Sequence, residues 1–166
     1  MFRSYILTLF VAIAYAGCQN PKPQASANAE QKDTVQSGKL QVRIGVTGEA
    51  FTTDSVLLSF TVTNHADTTQ RFCKWETPFE PRLGKYFDIT NDKGEEPTFK
   101  GAMARRVMPP PAESYIEVPP HDSVRTVINL ATNYAVTAGQ YTIKYSGGGV
   151  SGLEAGNELT VAVHTP

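Results

Sequence analysis

Cys73 opens the one stretch that gathers groups able to do chemistry. CKWETPFEPRLGKYFDI, residues 73–89, holds a thiol, the only Trp, two Pro, two Glu and an Asp. A catalytic Cys needs a base beside it to become a thiolate, and no local motif supplies one. The plain reading of Cys73 is a small buried hydrophobe. The three histidines, His65, His121 and His164, lie far apart and form neither HExxH nor an i, i+4 pair. SGGGVSG, Ser146–Gly152, is Gly-rich but lacks the Lys-Ser/Thr pair and following helix of a phosphate loop, so it reads as a flexible hairpin connection. Asp and Glu are spread along the chain and none stands out as a catalytic couple. No metal site and no cofactor is called for, and the expectation is a protein that is not an enzyme.

Recognition is the other use for such residues. Trp75 and Phe79 are large apolar groups between Pro-containing turns, and Glu76 and Glu80 flank them. The segment is then either a structured crossover anchored by the Trp, or an exposed loop for binding carried on a rigid scaffold. Lys100 and Arg105-Arg106 form the basic cluster, followed by Val107, Met108 and Pro109–Pro111. Three prolines make a stiff segment without N–H donors. It reads as a solvated loop face or as an arm that meets an acidic or backbone-rich partner surface, at reduced entropy cost. A formal net charge of −1 gives no reason to expect nucleic acid.

Strands must position these groups. LQVRIGV, Leu40–Val46, alternates, as does Val56–Asn64 with Val56, Leu58, Phe60 and Val62 on one face. Tyr86–Thr90 and Glu96–Gly101 flank Asn91-Asp92-Lys93-Gly94, a hairpin signal. Ser114–Val118, Ser123–Leu130, Gln140–Gly147 and Glu158–His164 complete the set. No window carries helical period over more than two turns. Short strands with Pro/Gly turns predict an all-β protein, an antiparallel immunoglobulin-like β-sandwich of about 7–9 strands.

The start of the chain addresses it. Arg3 precedes an apolar run, Ile6–Ala16, which is too short to span a bilayer and has the length of a signal h-region. Ala16-Gly17-Cys18 resembles the lipobox of bacterial lipoprotein signal peptides, with Tyr15 departing from the usual aliphatic residue. The resemblance implies cleavage before Cys18, its acylation, and attachment to the membrane through that N-terminal lipid, with several acyl chains making the attachment stable. Ordinary signal cleavage near Gly17, or an uncleaved anchor, is the alternative. Asn20 and Lys22 after the Cys imply the outer membrane of a bacterial cell envelope. Residues 19–38 hold one aliphatic side chain larger than Ala, Val35, and cannot bury enough to fold. The expected organisation is a signal peptide over 1–17, a tether over 18–38 spanning roughly 25 Å, and one domain over 39–166.

A wider likeness follows from motifs in order: Cys73–Glu80, Tyr86–Ile89, Phe99–Gly101, Arg105-Arg106, Pro109–Tyr115, Val118–Ser123, Asn129-Leu130, Asn133-Tyr134 and Gly139–Tyr145. Together they resemble the non-catalytic N-terminal β-sandwich of bacterial aspzincin metalloproteases, the deuterolysin and peptidyl-Lys endopeptidase family. The catalytic half of that family, with HExxH and a distant Asp ligand, has no counterpart here, so no catalytic residue carries over. The resemblance implies a protease accessory or pro-domain that binds, inhibits or chaperones a protease or another envelope protein. Thr63-Asn64-His65-Ala66-Asp67 is more distantly similar to a strand end of small Ig-like proteinase inhibitors. A structural or adhesive envelope lipoprotein is the competing expectation, and an unrecognised metal-dependent enzyme a remote one.

Overall fold

The computed structural model describes residues 40–48 and 50–166. The expected signal peptide, tether and acylated Cys18 lie outside the described residues. Two three-stranded antiparallel sheets form the sandwich. The first runs β1 (Leu40–Val46), β2 (Leu57–Asn64) and β6 (Ser123–Asn129), in the order β1-β2-β6. The second joins β4 (Phe87–Asn91), β7 (Gly139–Tyr145) and β8 (Glu158–Val163), in the order β4-β7-β8. β3 (Gln70–Cys73) and β5 (Tyr115–Val118) pair separately as a two-stranded ribbon. All of these strand pairings are antiparallel, and the protein is all-β as the alternation predicts.

Period-two patterning sets the faces. In β2, Leu58, Phe60 and Val62 are buried, with Ile44 opposite Phe60 on β1 and Ile128 opposite Leu58 on β6. From the other sheet, Phe87 and Ile89 on β4, Tyr141, Ile143 and Tyr145 on β7, and Val161 and Val163 on β8 meet them. Each such side chain removed from water contributes about 1.5–3 kcal/mol before entropy is counted. The edge-to-face contact of Phe60 with Tyr145, at 5.0 Å between centroids, joins the two sheets, and that of Phe87 with Tyr145, at 6.3 Å, joins facing residues of β4 and β7 within the second sheet.

The edge of β1 is covered by a side chain. Asn157 accepts from the Ile44 amide at 2.8 Å and donates to the Ile44 carbonyl at 3.0 Å. It thereby stands in for a neighbouring strand and blunts an edge that would otherwise invite pairing.

Two local expectations are corrected, and one strand is added. Glu96–Gly101 is not a strand paired to β4. The Asn91–Gly94 turn does form, closed by Gly94 N–H on the Asn91 carbonyl at 2.9 Å and by the Asn91 side-chain oxygen, which accepts from the amides of Lys93 and Glu95. Beyond it Phe99 packs edge-on against Tyr134 at 5.2 Å, and Lys100 and Ala135 bond across to Asn133 and Thr98. The aromatic anchor draws the chain away from β4. Leu130 leaves β6 to begin a single helical turn, α1 (Leu130–Asn133), because Asn129 caps it by accepting from the Ala131 amide. The short β3 was not anticipated, since Gln70–Cys73 offers only Phe72 and Cys73 as apolar signal.

Candidate recognition face

Directly after β3 the chain enters the Trp75 loop. Lys74 is held on both its amide, bonded to the Ser114 carbonyl at 2.8 Å, and its ammonium, bonded to the Glu113 carbonyl at 3.1 Å. Thr77 is fully buried; its hydroxyl donates to the Lys74 carbonyl at 2.6 Å and accepts from the Phe79 amide at 3.2 Å. Two turns are thus closed within six residues by side-chain hydrogen bonds. Phe79 packs on Phe72 and Phe60 at 5.4 and 6.1 Å between ring centroids. Trp75 is 6% exposed. The loop is a structured crossover, one of the two forms expected for it.

Arg106 closes the assembly from above. Its guanidinium lies 4.7 Å from the Trp75 ring centroid and bonds Glu80 through Nη2 and Oε2. Stacking on indole and pairing with a carboxylate are both interactions for which guanidinium is better suited than ammonium. The two arginines expected to act together therefore part. Arg106 is half-buried and spent on Trp75 and Glu80, while Arg105 is exposed and forms no ion pair among the described residues.

Glu76 takes a different role from Glu80. Its backbone sits at φ 58, its carboxylate accepts from the Val150 amide at 3.4 Å, and its carbonyl accepts from the Tyr145 hydroxyl at 3.3 Å. Gly149, at φ +58, leaves room for that carboxylate: a Cβ there would lie 2.2 Å from Oε2. The Gly-rich stretch, expected to be a flexible connection, is a hydrogen-bonded turn. Gly148 N–H reaches the Leu153 carbonyl at 2.6 Å, and Ser151 Oγ lies 3.0 Å from the Tyr145 hydroxyl. The partnership of Tyr145 and Val150 with Glu76 is not legible in the sequence, because 69 or more residues separate them from it.

Lys100 stands apart from the Arg106 cluster. Its ammonium donates to the Ala131 carbonyl at 2.6 Å and its amide to the Asn133 carbonyl at 2.7 Å, so it fastens the α1 turn. Next to it, residues 82–84 and 102 lie alongside one another, with Ala102 N–H on the Arg82 carbonyl at 2.9 Å and Gly84 N–H on the Ala102 carbonyl at 2.8 Å. After this clamp the chain leaves the surface as Met103–Met108, in which Arg106 alone is half-buried and every other residue is exposed.

The chemical inventory is quiet around these loops. Cys73 is fully buried, and desolvation pushes its thiol above the ordinary value, opposite to what nucleophilic chemistry requires. His65 bonds Gln41 at 3.0 Å and His121 bonds Asp67 at 2.8 Å, both at the surface. Among the described residues no three of His, Cys, Asp and Glu are gathered so as to hold a metal ion. Asn64, in the stretch likened to an inhibitor strand end, is fully buried; its amide donates to the carbonyls of Thr68, Val118 and Pro119, and its carbonyl accepts from the Ala66 amide. It satisfies a buried corner and is not presented to solvent.

Comparison with known proteins agrees with this architecture. No curated protein matches the chain. A family model described as an immunoglobulin-like domain matches residues 39–149, from the residue before β1 to a point just past β7. The last strand, β8, lies beyond the match and yet pairs with β7 along its whole length. With more than half of its residues covered, the chain belongs to the immunoglobulin-like domain family.

Proposed function

We propose that this protein is a non-enzymatic binding module of the bacterial cell envelope. It is tethered through a lipid on Cys18, probes its surroundings on residues 19–38, and holds a partner protein with its immunoglobulin-like domain. One observation carries the binding reading: an exposed, apolar and basic arm braced on a rigid loop. Met103, Val107 and Met108 are 73, 84 and 64% exposed, and the arm's base is fixed through Arg106 to Trp75 and Glu80. Exposed apolar groups concentrated on one segment mark interaction sites more often than scattered ones do, and a braced segment loses less entropy on docking.

The motif order shared with aspzincin accessory domains supports a protease as that partner. The test titrates residues 38–166 against the envelope and secreted protease activity of the source cells and against purified zinc and serine proteases. A saturable, stoichiometric change in protease activity, or saturable binding without turnover of the domain, is the expected result. Absence of binding to every protease tested would sink the protease assignment. Absence of a tritiated palmitate label on the parent chain would sink the lipid anchor, and a label that remains on a Cys18→Ser chain would sink Cys18 as its site.

A further inference from the structure

The following rests on the binding reading above and specifies the partner's surface. Met103–Met108 carries three of the five exposed large apolar side chains among the described residues. From Pro97 to Ala112 there is no Asp or Glu, while Lys100, Arg105 and Arg106 are all cationic. Two of those charges are already used. Arg106 answers Glu80 and lies on Trp75, and Lys100 is given to the Ala131 carbonyl. Arg105 remains, exposed and unpaired among the described residues.

The arm is held where binding needs it held. Ala102 is clamped to Arg82 and Gly84 on the near side. On the far side Pro109–Pro111 lead into a 3-10 turn, Ala112–Ser114, whose carbonyls receive both donors of Lys74. Between the clamps, Arg106 points down into the protein, and Met103, Arg105, Val107 and Met108 face solvent.

Such a pattern does not suit a bilayer. Adsorption to anionic lipid draws on several cations at once and on Trp, Phe or Leu at the interface; here one cation is unspent and Met103–Met108 contains none of those three residue types. A single charge among apolar side chains instead suits a single opposite charge within an apolar surface, where exclusion of water strengthens the pair. The geometry points to a partner protein with an apolar groove holding one carboxylate: Arg105 pairs with that carboxylate, and Met103, Val107 and Met108 lie against the groove walls. Arg106 is a positioning residue that acts through Trp75 and Glu80.

The test uses the full-length chain in the source cells, with a photo-crosslinking residue placed singly at 103, 107, 108 and, as a remote control, at 127, where Val127 is 49% exposed on β6. The expected result is one protein crosslinked from all three arm positions and not from 127. With that protein purified, Arg105→Glu should lower affinity at least tenfold, and Arg105→Lys by a smaller factor. Exchanging for Lys the partner carboxylate that lies among the crosslinked positions should restore binding to Arg105→Glu. Circular dichroism and the urea midpoint of Arg105→Glu should match the parent. Crosslinks from 127 but not from the arm would leave the binding reading standing and overturn this inference. Arg105-dependent sedimentation with phosphatidylglycerol vesicles, without a crosslinked protein, would overturn it in favour of a membrane surface. No crosslink from any position would overturn both readings.

Discussion

The Trp75 loop and the Met103–Met108 arm are neighbours joined by one side chain, and they use similar residues to opposite ends. In the loop, apolar groups are inside: Trp75 and Phe79 lie on the core and Thr77 is buried. Backbone groups there are satisfied by Thr77, Lys74 and Tyr145. In the arm, Met103, Val107 and Met108 are outside. Arg106 crosses from one to the other. Burying an aromatic ring is worth several kcal/mol, whereas leaving a Met or Val in water forgoes about 1.5–3 kcal/mol. The loop contributes to the fold, and the arm gives up that contribution and keeps a surface free. Between Arg105 and Arg106, one step along a short segment decides whether a cation is structural or available.

Four measurements test the difference between loop and arm. The largest effect is expected at the loop's anchor. Trp75→Ala should lower unfolding stability by about 3–5 kcal/mol in urea, because the ring is 6% exposed and carries Arg106 above it. A loss under about 1 kcal/mol would show that the loop is not anchored by this ring.

Next comes an alkaline loss of stability. Burial pushes the Tyr145 hydroxyl up from 10.0 to about 12. Tyr86 and Tyr134 are also raised, again chiefly by burial. Since the folded state holds these groups neutral, their contribution is full below pH 10 and falls as pH rises toward the folded value. For Tyr145 the loss should reach about 2 kcal/mol by pH 12. Urea midpoints measured from pH 9 to 12 should decline, and Tyr145→Phe should flatten the decline. A flat profile for the parent protein would contradict the burial of these hydroxyls.

Arg106→Ala should cost about 1–2 kcal/mol, from one partly buried ion pair and one cation–π contact. Arg106→Lys should recover only part of it, because ammonium cannot both stack and fork. Equal stability of the Lys variant and the parent would argue that charge alone matters. The smallest effect is expected at the adjacent position. Arg105→Ala should change stability by less than about 0.5 kcal/mol, as an exposed side chain without an ion-pair partner among the described residues. A larger loss would mean that Arg105 is also structural, and would erase the distinction between loop and arm.

Much of the scaffold is legible in the residues. Alternation places β1, β2, β6 and β8 within a residue of their bounds and β7 within two, since a strand with one buried face must repeat every second residue. Asn91–Gly94 was readable as a turn from Asn and Gly alone. What followed the turn was not, because the pull of Phe99 toward Tyr134 is a contact across 35 positions of chain. At the candidate face, Trp75, Glu80 and Arg106 could be named from the sequence as unusual, but not joined. Their association depends on β3 and β5 pairing and on the path of the arm between them.

Local chemistry of the chain therefore determined the all-β class, most strand bounds, the turns, and which residue types were available for recognition. These follow from side-chain periodicity and from conformational preference, which act over a few residues. Tertiary structure alone decided that Arg106 turns inward and Arg105 outward, that Glu76 is steadied by Tyr145 and the Gly149 turn, and that Asn157 covers the edge of β1. Those outcomes depend on which distant groups can satisfy a charge or a hydrogen bond once the two sheets have closed, and that competition is settled only in three dimensions.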